Sequence, residues 1–159
     1  MLATQCGTPG YVAPEILENA LYDTQADMWS LGVITYILLG GYPPFMETKQ
    51  RDLFRKIRKG EYQFHEEYWG PVSKDAKNLI RQLLTVDPDK RLTADQALKN
   101  KWITGDDETL ANQDLGANLK ELRKTLAKRK FKAAVRTVMA TQKLTSLGLT
   151  LRQDLDASG

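Results

Sequence analysis

Trp29, Leu31, Val33, Ile34, Tyr36, Ile37, Leu38 and Leu39 follow one another so closely that a helix through them is apolar nearly all round. Such a helix has no face for water and belongs in the middle of a fold. Thr24 followed by Asp27 predicts its start, a capping residue with an acid in the first turn. Gly40-Gly41 predict its stop, and Pro43-Pro44 prevent resumption. The apolar run from Met28 to Leu39 contains Ser30, Gly32 and Thr35 and falls well short of the ~20 residues that cross a bilayer. It therefore reads as a buried helix, and no membrane span is expected.

Helical spacing continues beyond it. A second helix is predicted from about Thr48 to Lys59, with Leu53, Phe54 and Ile57 on one side and Gly60 as its stop. A third begins near Ser73, presents Ala76, Leu79, Ile80, Leu83 and Leu84 at three- and four-residue intervals, and ends before Asp87-Pro88. Thr93-Ala94-Asp95-Gln96 has the spacing of a capping box, and the short helix it opens carries Ala97 and Leu98 towards Trp102 and Ile103. No segment alternates with the period of a strand, so the fold class is mainly α.

A chain of 159 residues, 42% of them hydrophobic, can bury one real core and leaves no room for a second large domain. Residues 1–103 are expected to form the body, 104–117 a linker, 118–144 a basic amphipathic helix and 145–159 a disordered tail. Cys6 is the only cysteine, which excludes an intrachain disulfide and a cysteine-built zinc site and points to a reducing compartment. No signal peptide is evident, and His65, the sole histidine, reads as a solvated loop residue or a satisfied polar contact. No metal site is expected.

Charge is segregated. Between Asn118 and Leu144, nine lysines and arginines stand against the single acid Glu121, a net +8, so the rest of this +3 chain carries −5. A basic, helix-prone tail on an acidic body suits an acidic partner, whether protein, membrane surface or nucleic acid. Nucleic acid is the poorest fit, because the tail has one aromatic at its centre and no groove-binding motif.

Cys6-Gly7-Thr8-Pro9-Gly10-Tyr11-Val12-Ala13-Pro14-Glu15 resembles the end of a protein kinase's activation segment, from substrate-docking loop to Ala-Pro-Glu motif. Asp27-Met28-Trp29-Ser30-Leu31-Gly32, Gly41-Tyr42-Pro43-Pro44-Phe45 and Asp87-Pro88-Asp89-Lys90-Arg91-Leu92-Thr93 extend the resemblance over roughly residues 3 to 144. Gly-Tyr-Pro-Pro-Phe and the segment from Glu61 to Trp69 are most similar to the calcium/calmodulin-dependent Ser/Thr kinases, particularly type I. Asn100-Lys101 departs from the family's usual His-Pro. The resemblance implies the lower half of a kinase's helical lobe.

Phosphoryl transfer needs a Gly-rich loop and a lysine on the phosphates, an Asp base, and Asn and Asp ligands for magnesium. None of their motifs occurs: there is no G-x-G-x-x-G, no Asp-Phe-Gly, and His65 precedes Glu66-Glu67 rather than Arg-Asp. ATP and magnesium are therefore expected in a full-length parent, and no catalytic residue in this chain. The resemblance makes Gly7, Thr8, Pro9 and Tyr11 part of the substrate-docking loop. It pairs Glu15 with Arg91 in a structural ion pair, where spacing alone would leave Glu15 a surface carboxylate. Asp27 would support the catalytic loop, or simply favour its own helix N-terminus. Thr4 stands where such kinases carry an activating phosphothreonine, set by an upstream kinase, and otherwise reads as an ordinary threonine near the N-terminus.

In the tail, Leu119, Leu122 and Leu126 share one helical face, and Phe131, Val135, Val138 and Met139 share another, displaced by roughly 150°. Lys128-Arg129-Lys130 marks the change, with Lys132 following. Phe131, Val135 and Leu144 occupy positions one, five and fourteen of this basic segment, similar to the calmodulin-binding helices of type I kinases. The resemblance implies an autoinhibitory face at Leu119, Leu122 and Leu126 and capture of the part from Phe131 by calcium-loaded calmodulin, whose acidic, Met-rich grooves suit basic amphipathic helices. A solvated or membrane-surface helix is the plainer reading of the tail. Three functions stay open: a partial copy of an active Ser/Thr kinase, a non-catalytic calmodulin-binding protein, and a module that docks on kinases or membranes through its exposed helices. A cytoplasmic location, and a nuclear one besides, is expected.

Overall fold

The computed structural model describes residues 9–105, 116, 118–127, 130, 131 and 139; among them all regular secondary structure is helical, with no strand. In chain order the helices are α1 (Pro14–Leu17), α2 (Thr24–Gly40), α3 (Gln50–Lys59), α4 (Glu66–Trp69), α5 (Lys74–Leu83), α6 (Ala94–Leu98) and α7 (Lys101–Thr104), with 3-10 turns at Pro9–Tyr11 and Pro88–Lys90. The chain divides into two units, 1–122 and 123–159. In the second, residues 123–127, 130, 131 and 139 are helical.

Asp23, not Thr24, caps α2: its carboxylate accepts from the backbone N–H groups of Gln25 at 2.9 Å and Ala26 at 3.3 Å. A carboxylate both accepts these bonds and meets the positive end of the helix dipole. The helix ends as expected, with Gly41 at φ +83° and its N–H donating to Ile37 at 2.8 Å. One side of α2 buries Trp29, Val33, Tyr36 and Ile37. The opposite side is not enclosed, for Leu31, Ile34 and Leu38 stand 44%, 45% and 58% exposed.

The principal packing partner of α2 is α5, whose start Ser73 fixes by accepting from Ala76 N at 3.2 Å. The two helices meet at Gly32, where a Cβ would lie 2.8 Å from Leu83 Cβ and 2.9 Å from Leu84 Cδ2. Helix α3 starts later than expected, at Gln50, because Thr48 gives way to the uncapped N-terminus at Lys49. Its stop at Gly60 (φ +62°) is as expected. Thr93 and Gln96 form the expected capping box, at 3.3 and 2.9 Å. Where the sequence departs from the kinase pattern, Asn100 makes its own turn: Oδ1 accepts from Trp102 N at 2.9 Å, and Nδ2 donates to Gln82 at 3.2 Å.

The segment around α4, four residues and too short to leave a periodic signature, closes an aromatic cluster. Tyr36 lies 4.6 Å from Trp69, 5.7 Å from Phe64 and 5.9 Å from Tyr62, centroid to centroid. Its hydroxyl donates to the Gln63 carbonyl at 2.6 Å, and Trp69 Nε1 donates to the Tyr42 hydroxyl at 3.0 Å. Burial pushes the Tyr36 phenol up and the Tyr62 phenol up to about 12. With unfolded tyrosines ionising near ~10, the stability these rings contribute is complete below that pH and is lost as pH rises towards the folded values. Urea midpoints should hold to about pH 10 and fall steeply over the next two units; a flat profile to pH 12 would contradict the buried cluster.

Candidate functional site

The guanidinium of Arg91, 2% exposed, organises the edge of the body. It grips Glu15 in a fork, Nη1 to Oε1 at 2.6 Å and Nη2 to Oε2 at 2.8 Å. Nε donates to the Thr85 carbonyl at 2.9 Å, Nη1 to that of Gln25 at 2.6 Å and Nη2 to that of Val86 at 3.1 Å. All five donors are thus engaged. The plane also lies over Trp29, 5.2 Å from the ring centroid, and Trp29 stacks on Phe45 at 5.6 Å. One residue ties α1, α2 and the Pro88–Lys90 turn together.

Pro9 and Tyr11 lie in a 3-10 turn held against α2 by Ser30, whose hydroxyl donates to the Tyr11 carbonyl at 3.0 Å. Gly7, Thr8 and Thr4 lie outside the described residues. Asp27 is exposed in the first turn of α2 and accepts a hydrogen bond from the Tyr22 hydroxyl; that bond raises the Tyr22 phenol. Sequence reading missed Tyr22, Gln25 and Ser30, because nothing in their spacing announces a partner 5 to 66 residues away.

The first unit closes on residues 118–122. Asn118 is 1% exposed, and its Nδ2 donates to the carbonyls of Leu39 and, at 2.6 Å, Tyr68. The backbone comes so close that a Cβ on Gly41 would stand 2.7 Å from the Asn118 carbonyl oxygen and 3.0 Å from Leu122 N. Leu122 packs on the core, whereas Leu119 is 53% exposed. In the second unit Leu126, Lys130, Phe131 and Met139 are exposed, Phe131 at 70% and Met139 at 64%. Lys128, Arg129, Lys132, Val135, Val138 and Leu144 lie outside the described residues.

Among the described residues no three His, Cys, Asp or Glu side chains gather to hold a metal ion. No helix of the described residues is long and apolar enough to cross a membrane.

A bidentate Glu–Arg tie between an Ala-Pro-Glu turn and the loop after α5, a 3-10 turn bonded to the central helix, and this helix order are the marks of a kinase's helical lobe. The chain belongs to the protein kinase domain family, which matches residues 1–103. It is 45% identical over 149 residues to human calcium/calmodulin-dependent protein kinase type 1B, covering 93% of this chain and 43% of that protein. Over 151 residues it is 45% identical to the type 1 kinase of Caenorhabditis elegans, 94% of this chain and 43% of the other. The human type IV kinase is 46% identical over 147 residues, 92% of this chain and 31% of that protein. The chain thus spans less than half the length of these relatives.

Proposed function

We propose that this chain is the C-terminal part of a calcium/calmodulin-dependent Ser/Thr kinase, from the end of the activation segment through the regulatory tail. ATP-dependent phosphorylation of protein serine or threonine, with magnesium, belongs to the parent, and this part serves substrate docking and regulation. The observation that carries the reading is the exposure of Phe131 and Met139 on helical residues of the basic tail. The exposed Leu31, Ile34 and Leu38 on α2 support an upstream portion that would cover them. Leu119, Leu122 and Leu126 form the autoinhibitory face, released when calcium-loaded calmodulin captures the helix from Phe131 onward, with Val135, Val138, Met139 and Leu144 as further apolar contacts and Lys128, Arg129, Lys130 and Lys132 as cationic ones. Two occupants competing for one helix make a switch. Thr4 would be the site of an upstream kinase.

Titrating labelled calmodulin with this chain should give a complex that needs calcium and is weakened about 30-fold or more by Phe131→Ala, the size of a buried aromatic anchor. Absence of a complex, or one indifferent to that exchange, would sink the calmodulin reading. The same exposed tail suits a non-catalytic calmodulin-binding or kinase-docking protein. An immunoblot against the tail separates the two: a band at about twice 18.0 kDa or more means the kinase, and one near 18.0 kDa alone the binding protein.

A further inference from the structure

Lys49, Arg51, Arg55 and Arg58 line, with Asp52, a concave surface of about 450 Å³ along α3. Arg51, Arg55 and Arg58 follow at intervals of four and three and so share one helical face. Like charges at that spacing repel, and the neighbouring acids leave the face cationic. Asp52 reaches Arg55 at 3.6 Å, and Glu18 reaches Arg58 at 4.0 Å. Arg58 also donates to the Leu17 carbonyl at 3.4 Å. Lys49 and Arg51 pair with no described residue, and all four cationic residues are exposed.

We propose that this surface binds a phosphorylated side chain on a peptide segment of a partner protein. Four cations against Asp52 leave a net +3 in the concavity, a surplus that a phosphate of about −1.5 to −2 answers better than another carboxylate. Its oxygens can take the forks of two arginines together, geometry that guanidinium provides and ammonium does not. The lining holds no aromatic side chain on which a nucleic-acid base could stack and no apolar wedge for an acyl layer, which favours a peptide. Binding there would not depend on calmodulin recognition.

The test uses the whole chain and a fluorescein-labelled peptide, Gly-Asp-Gly-phosphoserine-Gly-Asp-Gly, read by anisotropy at physiological salt. Saturable binding is expected. It should weaken at least tenfold for the unphosphorylated twin and at least tenfold for the Arg51→Glu/Arg55→Glu chain, yet persist in Lys74→Glu/Lys99→Glu. Should the double glutamate chain lose its helical circular dichroism, Arg51→Gln/Arg55→Gln serves in its place. No binding, equal binding of the twin, or binding that survives loss of both arginines and so belongs to the tail would each overturn the proposal. So would arginine-dependent binding to phosphoinositide vesicles without binding to the peptide.

Discussion

Arg91→Met should cost about 3 to 5 kcal/mol of unfolding free energy, the usual result of breaking a buried ion pair from one side. The exchange keeps much of the volume but removes every donor. Glu15, with only 13% of its side chain exposed, loses its fork, and the carbonyls of Thr85, Gln25 and Val86 lose their donors together. Since a domain of this size holds only about 5 to 15 kcal/mol in all, the variant should unfold at much lower urea or fail to fold. Arg91→Lys should recover only part of the loss, because an ammonium cannot meet both Glu15 oxygens and three carbonyls. A loss below about 1 kcal/mol, the level of an exposed pair, would mean that the tie does not hold the body together.

Trp69→Ala should cost a similar amount, about 3 to 5 kcal/mol. The indole is fully buried, tilted against Tyr36 at 4.6 Å and edge-on to Phe64 at 4.5 Å. It also rests on the end of α2, where a Cβ on Gly40 would come within 2.7 Å of Cζ2. Its loss opens a cavity among aromatic rings and deprives the Tyr42 hydroxyl of its shorter donor bond, leaving that from the His65 N–H at 3.4 Å. The effect should spread to the start of the tail, because Asn118 is bonded to the carbonyl of Tyr68, the residue next to the indole. Hydrogen exchange at residues 118–122 should therefore quicken in Trp69→Ala more than in Trp69→Phe. Unchanged protection there would show that Asn118 is held by Leu39 alone.

Local signals were legible wherever a side chain acts on its own turn. The capping box at Thr93 and Gln96, the start at Ser73 and the stops at Gly41 and Gly60 all rest on bonds or φ angles spanning at most four residues. Asp23 and Thr24 are both good caps one residue apart, and spacing cannot choose between them. The four-residue helix at Glu66–Trp69 had no period to detect. Of the candidate site, the Glu15–Arg91 pair came from resemblance to kinases and stands in the structure at 2.6 and 2.8 Å.

By itself the sequence determined the longer helices and the family, through apolar periodicity, caps and motifs whose residues are neighbours along the chain. Only the tertiary structure decided which side of α2 is buried, since a helix apolar all round carries no moment to orient it. It alone also brought Asn118 to the carbonyls of Leu39 and Tyr68, 79 and 50 residues away, and gathered five acceptors around Arg91. Such meetings are set by helices packing as rigid bodies, and no local propensity encodes them.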